Sequence, residues 1–308
     1  MVMRMLRCCL LLLLVCHGRT QDAKFSSDVK VVSLLATVRD RAGAVVKNLT
    51  RDDFRLEEDG RRQTIRYFSQ ESNLPLIIGL LVDTSRSLQT VFEPERVASN
   101  RFLEQVLRED RDVAAVVHFD VEVGVLQGFT SSREKLAAAM GELRIPQRPA
   151  TKLYDAIRQE SEDLMRKQLG QKAFILLSDG LDVRSQTSIG TAIEYAQRAD
   201  TMIYTILFTH RMGGRGRVGR RVNVSVPRQT KGRKVMQRLA AETGGGFFEV
   251  TDQNPIGKIY AQIEDELRNQ YSIGYTPDRA GGEAYRKIKL TTGKKGLVVR
   301  TRDGYYPK

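Results

Sequence analysis

Leu76-Ile77-Ile78-Gly79-Leu80-Leu81-Val82 leads directly into Asp83-Thr84-Ser85-Arg86-Ser87. An apolar run of this length, with no helical period, reads as a strand buried on both faces, the kind that parallel sheets contain. The pentapeptide after it marks the C-terminal end of that strand, the edge where open α/β sheets bind ligands. One carboxylate and two hydroxyls at alternate positions form a set of hard oxygen donors. Such donors suit Mg²⁺, Ca²⁺ or Mn²⁺ and do not suit Zn²⁺ or copper.

Working outward, strands and helices alternate over residues 74–269. Strands are predicted at 76–82, 112–119, 173–178, 202–208 and 246–250, with an edge strand through 121–127. Helices are predicted near 94–108, 132–144, 152–167, 188–199, 233–243 and 255–268, with Ser131 and Glu134 as a capping box for the second. This alternation predicts βαβ units and an α/β fold with a doubly wound, mostly parallel, Rossmann-like sheet. Two more loops fall at its ligand edge. Thr151 precedes the helical pattern Leu153-Tyr154-Asp155-Ala156-Ile157, and Asp179 ends the apolar run Phe174-Ile175-Leu176-Leu177-Ser178. Asp120, Asp155 and Asp182 lie in the same loops and read as turn or helix-capping groups, with Asp182 also placed to support the loop that carries Asp179.

Both ends of the chain are β-rich. In residues 21–73, Asp59-Gly60 separates Phe54-Arg55-Leu56 from Thr64-Ile65-Arg66-Tyr67-Phe68, a hairpin signal. In residues 270–308, Tyr271–Tyr275, Tyr285–Leu290 and Leu297–Thr301 are candidate strands. Neither end is large enough for a core of its own. They are expected to pack together as one smaller β-rich domain, with the α/β domain inserted between them.

The 308 residues are 41% hydrophobic and 28% charged, which predicts packed domains, not a disordered chain. Residues 1–20 read as a signal peptide: Arg4 and Arg7 precede a short apolar core from Cys8 to Cys16, too short to span a bilayer. An exported protein, periplasmic or secreted, is therefore expected; a lipid-modified Cys16 is the competing reading, opposed by the bulky Val15 before it. All three cysteines fall in this leader, so the mature chain has neither a disulfide framework nor thiol chemistry. No later segment is long and apolar enough for a transmembrane span. His118 and His210 lack paired ligand spacing. There is no nucleophile elbow, P-loop or His-Glu-x-x-His motif.

Formal net charge is +13. Residues 211–234 hold nine Lys and Arg and no acid, and read as a loop ahead of a helix at 233. This basic loop offers an anionic surface or polymer a landing site, but it has no aromatic residues for stacking on single-stranded nucleic acid, and no specific nucleic acid is expected.

Together, Asp83-Thr84-Ser85-Arg86-Ser87, Thr151 and Asp179-Gly180 resemble the von Willebrand factor type A (VWFA) domain, and the resemblance spans most of the chain after the leader. Asn48-Leu49-Thr50-Arg51-Asp52-Asp53-Phe54, Leu153–Ile157 and Gln270-Tyr271-Ser272-Ile273-Gly274-Tyr275-Thr276-Pro277 resemble the exported bacterial family called VWFA-related acidobacterial-type. The resemblance implies a metal-ion-dependent adhesion site (MIDAS) in which Asp83, Ser85, Ser87, Thr151 and Asp179 hold one Mg²⁺ (or Mn²⁺ or Ca²⁺). An acidic residue of a protein ligand would complete the metal's coordination, as in cell adhesion. Arg86 and Ala150 stand where the family often has glycine. The competing reading is a Mg²⁺-dependent phosphatase-like hydrolase with Asp83 as nucleophile. That chemistry needs a second Asp two residues on, where this chain has Ser85. The expected function is a non-enzymatic binding module, with anionic-polymer or envelope binding through residues 211–234 as a further alternative.

Overall fold

The computed structural model describes residues 31–71, 74–146, 150–208, 226–279 and 282–307. The first strands are β1 (Val32–Arg39), β2 (Phe54–Glu58), β3 (Arg61–Gln63) and β4 (Ile65–Glu71). The α/β region follows with β5 (Leu76–Asp83), α1 (Phe92–Val106), β6 (Val113–Phe119), β7 (Val123–Thr130), α2 (Arg133–Glu142) and α3 (Leu153–Asp163). It continues with β8 (Gln171–Ser178), α4 (Ile189–Arg198), β9 (Thr201–Leu207), α5 (Val226–Thr243), β10 (Phe247–Glu249) and α6 (Ile256–Arg268). The last strands are β11 (Gln270–Tyr275), β12 (Arg286–Thr292), β13 (Val298–Arg300) and β14 (Gly304–Tyr305).

The central sheet has the order β10-β9-β8-β5-β6-β7. All its pairs are parallel except β6 with β7. Every residue of β5, β8 and β9 is buried, as their apolar sequences require. Alternation along β5 feeds two cores. Leu76, Ile78, Leu80 and Val82 meet Phe102, Leu103, Met140 and Ile263 of α1, α2 and α6. Ile77 and Leu81 meet Ile157, Ile193, Met236 and Leu239 of α3, α4 and α5. Gly79 has no room for a side chain, since a Cβ there would lie 2.6 Å from the Phe174 ring. The chain leaves β5 towards β6 on one side and returns to β8 on the other. The adjacent ends of β5 and β8 therefore form a topological switch point, with Asp83 and Asp179 at its mouth.

The terminal strands build two antiparallel sheets, β13-β1-β11-β4 and β14-β12-β2-β3. Between them lie Leu34, Ala36, Phe54, Leu56, Tyr271, Ile273 and Leu290. β4 and β11 are antiparallel neighbours, with Phe68 opposite Ile273. The α/β region thus leaves and rejoins this part at adjacent points. Glu58 is buried and accepts hydrogen bonds from Tyr275, Tyr305 and, at 2.9 Å, Arg286.

Three local expectations are corrected. β2 pairs with β3, not with the strand beginning at Thr64. The tight turn at Asp59 and Gly60, both at positive φ, sets Glu58 opposite Arg61. After three residues the chain crosses to the other sheet, where Phe68 packs 5.7 Å from Phe54. The N-cap of α2 is Ser132, whose Oγ accepts the Lys135 N–H, because β7 runs on through Thr130. Finally, α5 begins at Val226, so residues 226–234 of the basic segment are helical and not a loop. Its remaining residues, and His210, lie outside the described residues, as does the leader.

Candidate metal centre

Asp83 is fully buried at the last position of β5. One carboxylate oxygen accepts the Ser85 N–H at 2.8 Å and the other accepts the Ser178 hydroxyl at 2.6 Å. Ser178 in turn accepts the Gly180 N–H at 2.9 Å, which ties the β5 loop to the β8 loop. Ser85 and Ser87 share a hydroxyl–hydroxyl hydrogen bond of 2.9 Å. A one-turn helix at 86–88 turns Arg86 outward and leaves Ser87 half-buried.

Asp179 is half-buried, and one of its oxygens accepts the Leu181 N–H at 3.0 Å. Gly180 has φ +75°, and a Cβ there would lie 2.4 Å from the Gly232 carbonyl oxygen. A Cβ at Gly232 would lie 2.0 Å from the Asp179 carbonyl oxygen. Two glycines therefore allow α5 to press on the Asp179 turn, a contact that only bare backbone permits. Thr151 and Ala150 are both buried. The Thr151 carbonyl accepts N–H groups from Val183 (3.0 Å) and Arg184 (3.3 Å).

Flanking aspartates lock these loops together. Asp120 accepts from the Thr84 hydroxyl, and its carbonyl accepts the Lys152 N–H at 3.0 Å. Against burial, hydrogen bonds from His118 and Thr84 hold its carboxyl below the usual range. Asp155 accepts N–H groups from Gln186 and Thr187, and Asp182 accepts the Ser185 hydroxyl. Asp120 and Asp182 also close local turns, at Glu122 and Ser185, whereas Asp155 reaches across to the loop before α4 and does not cap its own helix.

The electrostatics of the pocket are uneven. Burial and the nearby charge of Asp179 push the Asp83 carboxyl up to about 7. Glu95 of α1 is 1% exposed, and neither of its oxygens has a hydrogen-bond partner among the described residues. Burial and the charge of Asp83 push its carboxyl well above the usual range. Beside it, Ser99 and Tyr260 share a 2.7 Å hydrogen bond. Sequence reading missed Glu95 and Ser178. Glu95 carried a signal, because it falls at helical spacing with the apolar Phe92 and Phe102 and so lies on the buried face of α1. Ser178 carried none beyond its place beside Asp179.

Among the described residues no three His, Cys, Asp or Glu side chains converge as metal ligands. The candidate donors, the Asp83 and Asp179 carboxylates with the Ser85, Ser87 and Thr151 hydroxyls, are hard oxygens of the kind that Mg²⁺, Mn²⁺ and Ca²⁺ take together with water. Among the same residues no helix is long and apolar enough to cross a membrane.

No protein-family profile and no curated protein matches the chain. Solved structures do match it. Proximal thread matrix protein 1 from the mussel byssus aligns with a TM-score of 0.51 at 14% identity, covering 68% of this chain and 51% of that one. The α/β region has the von Willebrand factor type A fold. The same mussel protein with a zinc-occupied MIDAS motif aligns with a TM-score of 0.51 at 14% identity, covering 70% of this chain and 50% of that one. This chain thus spans about half the length of the mussel protein. The vWF domain of the type V pili tip protein Mfa5 from Porphyromonas gingivalis aligns with a TM-score of 0.46 at 14% identity, covering 62% of this chain and 94% of that one.

Proposed function

We propose that this VWFA protein is an exported, non-enzymatic binding module, periplasmic or secreted. In this reading Asp83, Ser85, Ser87, Thr151 and Asp179 hold one divalent cation, Mg²⁺ or a substitute such as Mn²⁺ or Ca²⁺, and an acidic residue of a protein partner completes its coordination. Residues 74–269 are the binding domain, and residues 21–73 and 270–308 form the smaller β-rich domain that carries it. The observation that carries the reading is the fully buried Asp83 carboxylate facing the charge of Asp179, with the Ser85 and Ser87 hydroxyls beside it at the switch point. Two carboxylates that repel each other in a desolvated pocket are stabilised by a shared cation. Hydrolase chemistry lacks this support, since the position a general acid would need is Ser85, whose N–H is bonded to Asp83.

Calorimetric titration of the chain with Mg²⁺, Mn²⁺ and Zn²⁺, beside Asp83→Ala, tests the site. One saturable event that the variant loses is expected. Equal cation binding by both proteins would remove Asp83 from the site, and no binding by the wild type would refute the reading.

A further inference from the structure

We propose that the groove between α4 and α5 is a second contact for the partner, and that it takes an acidic peptide segment continuing from the residue at the metal. This deepens the function proposed above and rests on it for its starting point. The groove has a volume of ≈390 Å³ and is lined by Ile189, Thr230, Lys231, Lys234, Val235 and Arg238. Lys231, Lys234 and Arg238 are exposed and recur at positions i, i+3 and i+7, which puts them on one face of α5. Ile189 and Val235 are half-buried and give that face an apolar floor. Among the described residues neither Lys231 nor Lys234 has an ion-pair partner, whereas Arg233 is spent on Glu249 and Arg238 also reaches Glu242 at 2.6 Å.

Lys234 and Arg238 are a like-charge i, i+4 pair, a repulsion that Glu242 relieves only at Arg238. An anionic occupant relieves it at Lys234 as well. Gly232, next to Lys231 in sequence, lies against the Asp179 carbonyl, which puts α5 on the metal loop one residue from the cationic face. At its other end the Arg238 charge acts on Tyr154, whose N–H is bonded to Ser185 in the loop before α4. From Lys231 to Arg238 the helix rises about 10 Å. An extended segment covers that length in about three residues. The segment that fits carries a carboxylate for the metal, then acidic side chains for the lysines and an apolar residue for Ile189 and Val235. A peptide meets both requirements within one short extended segment; nucleic acid offers no aliphatic side chain, and a lipid's acyl chains lie within the bilayer, away from its headgroup charge.

The test uses the full chain and a fluorescein-labelled synthetic peptide of alternating Glu and Leu, read by anisotropy with Mn²⁺ and with chelator, over a range of salt. Lys231→Glu/Lys234→Glu is expected to weaken peptide binding roughly tenfold or more and to flatten its salt dependence. It is expected to keep its saturable Mn²⁺ binding and a thermal midpoint no lower than wild type, since Glu at 234 faces Arg238 at i+4. Lys231→Gln/Lys234→Gln should show a smaller loss. Peptide binding in chelator that the charge reversal abolishes would uphold the groove even if the chain binds no cation, so the two readings fail separately. The proposal is overturned if the charge-reversed protein binds the peptide as wild type does, if a Gln/Leu peptide binds equally well, or if wild type does not bind the acidic peptide. Tighter binding of a DNA duplex or of phosphatidylserine vesicles through the same lysines would also overturn it, in favour of a general anion surface.

Discussion

Replacing Asp83 with Asn should make the cation-free protein more stable at mildly alkaline pH, while removing its response to metal. An isolated Asp titrates near ~3.9, and burial with the charge of Asp179 pushes Asp83 up to about 7. The raised value means that the folded state takes up a proton which the unfolded state has released. The stability cost is absent below about pH 4, grows between about pH 4 and pH 7, and is constant above. Roughly three pH units at ~1.4 kcal/mol each come to about 4 kcal/mol. Asn avoids that cost but disturbs the hydrogen bonds. Ser178 donates to Asp83 at 2.6 Å and accepts from Gly180, so an Asn amide would force its hydroxyl to turn and find another acceptor. That change costs about 1 kcal/mol. The net gain is about 3 kcal/mol, or roughly 5 °C in midpoint for a chain of this size. Cation at about a hundred times its Kd should return ~2.7 kcal/mol to wild type and nothing to the variant. Thermal and urea melts followed by circular dichroism, in chelator and in excess Mn²⁺, at about pH 5 and pH 8, read all of these terms. The reasoning fails if the Asn variant is the less stable protein in chelator at about pH 8. It fails equally if wild-type stability in chelator does not fall between the two pH values.

Two further outcomes follow from the same pocket. Gly180→Ala puts a methyl group 2.4 Å from the Gly232 carbonyl at a φ of +75°, so α5 must move off the Asp179 turn. Calorimetry should show at least a roughly tenfold loss of cation affinity, about 1.4 kcal/mol, together with a lower melting midpoint. Glu95→Gln removes a carboxylate that burial and Asp83 hold well above its usual range, so the folded state again binds a proton that the unfolded state releases. Its urea midpoint should exceed that of wild type at neutral pH, and the difference should shrink as the pH falls towards the normal carboxylate range.

Short-range pattern was enough for the core of the fold and for the candidate ligands. An uninterrupted apolar run too short for an ordinary buried helix fits a strand covered on both faces, so Leu76–Val82 placed Asp83 at a sheet edge before any contact was known. Alternating strand and helix periods led to the wound sheet for the same reason, because the period of burial is written in consecutive residues. Tertiary structure was needed wherever the cause was distant in sequence. Whether the strand after Asp59-Gly60 stays beside β2 or crosses to β11 depends on where Phe68 finds Tyr271, a stacked contact at 5.7 Å that no local signal encodes. The N-terminal turns of α5 contain Gly232 and many cations, which read as loop; packing of that glycine on the Asp179 turn helps keep them helical. The high pKa of Asp83 and the unpaired oxygens of Glu95 arise from desolvation and from charges brought together by folding, and residue type alone determines neither.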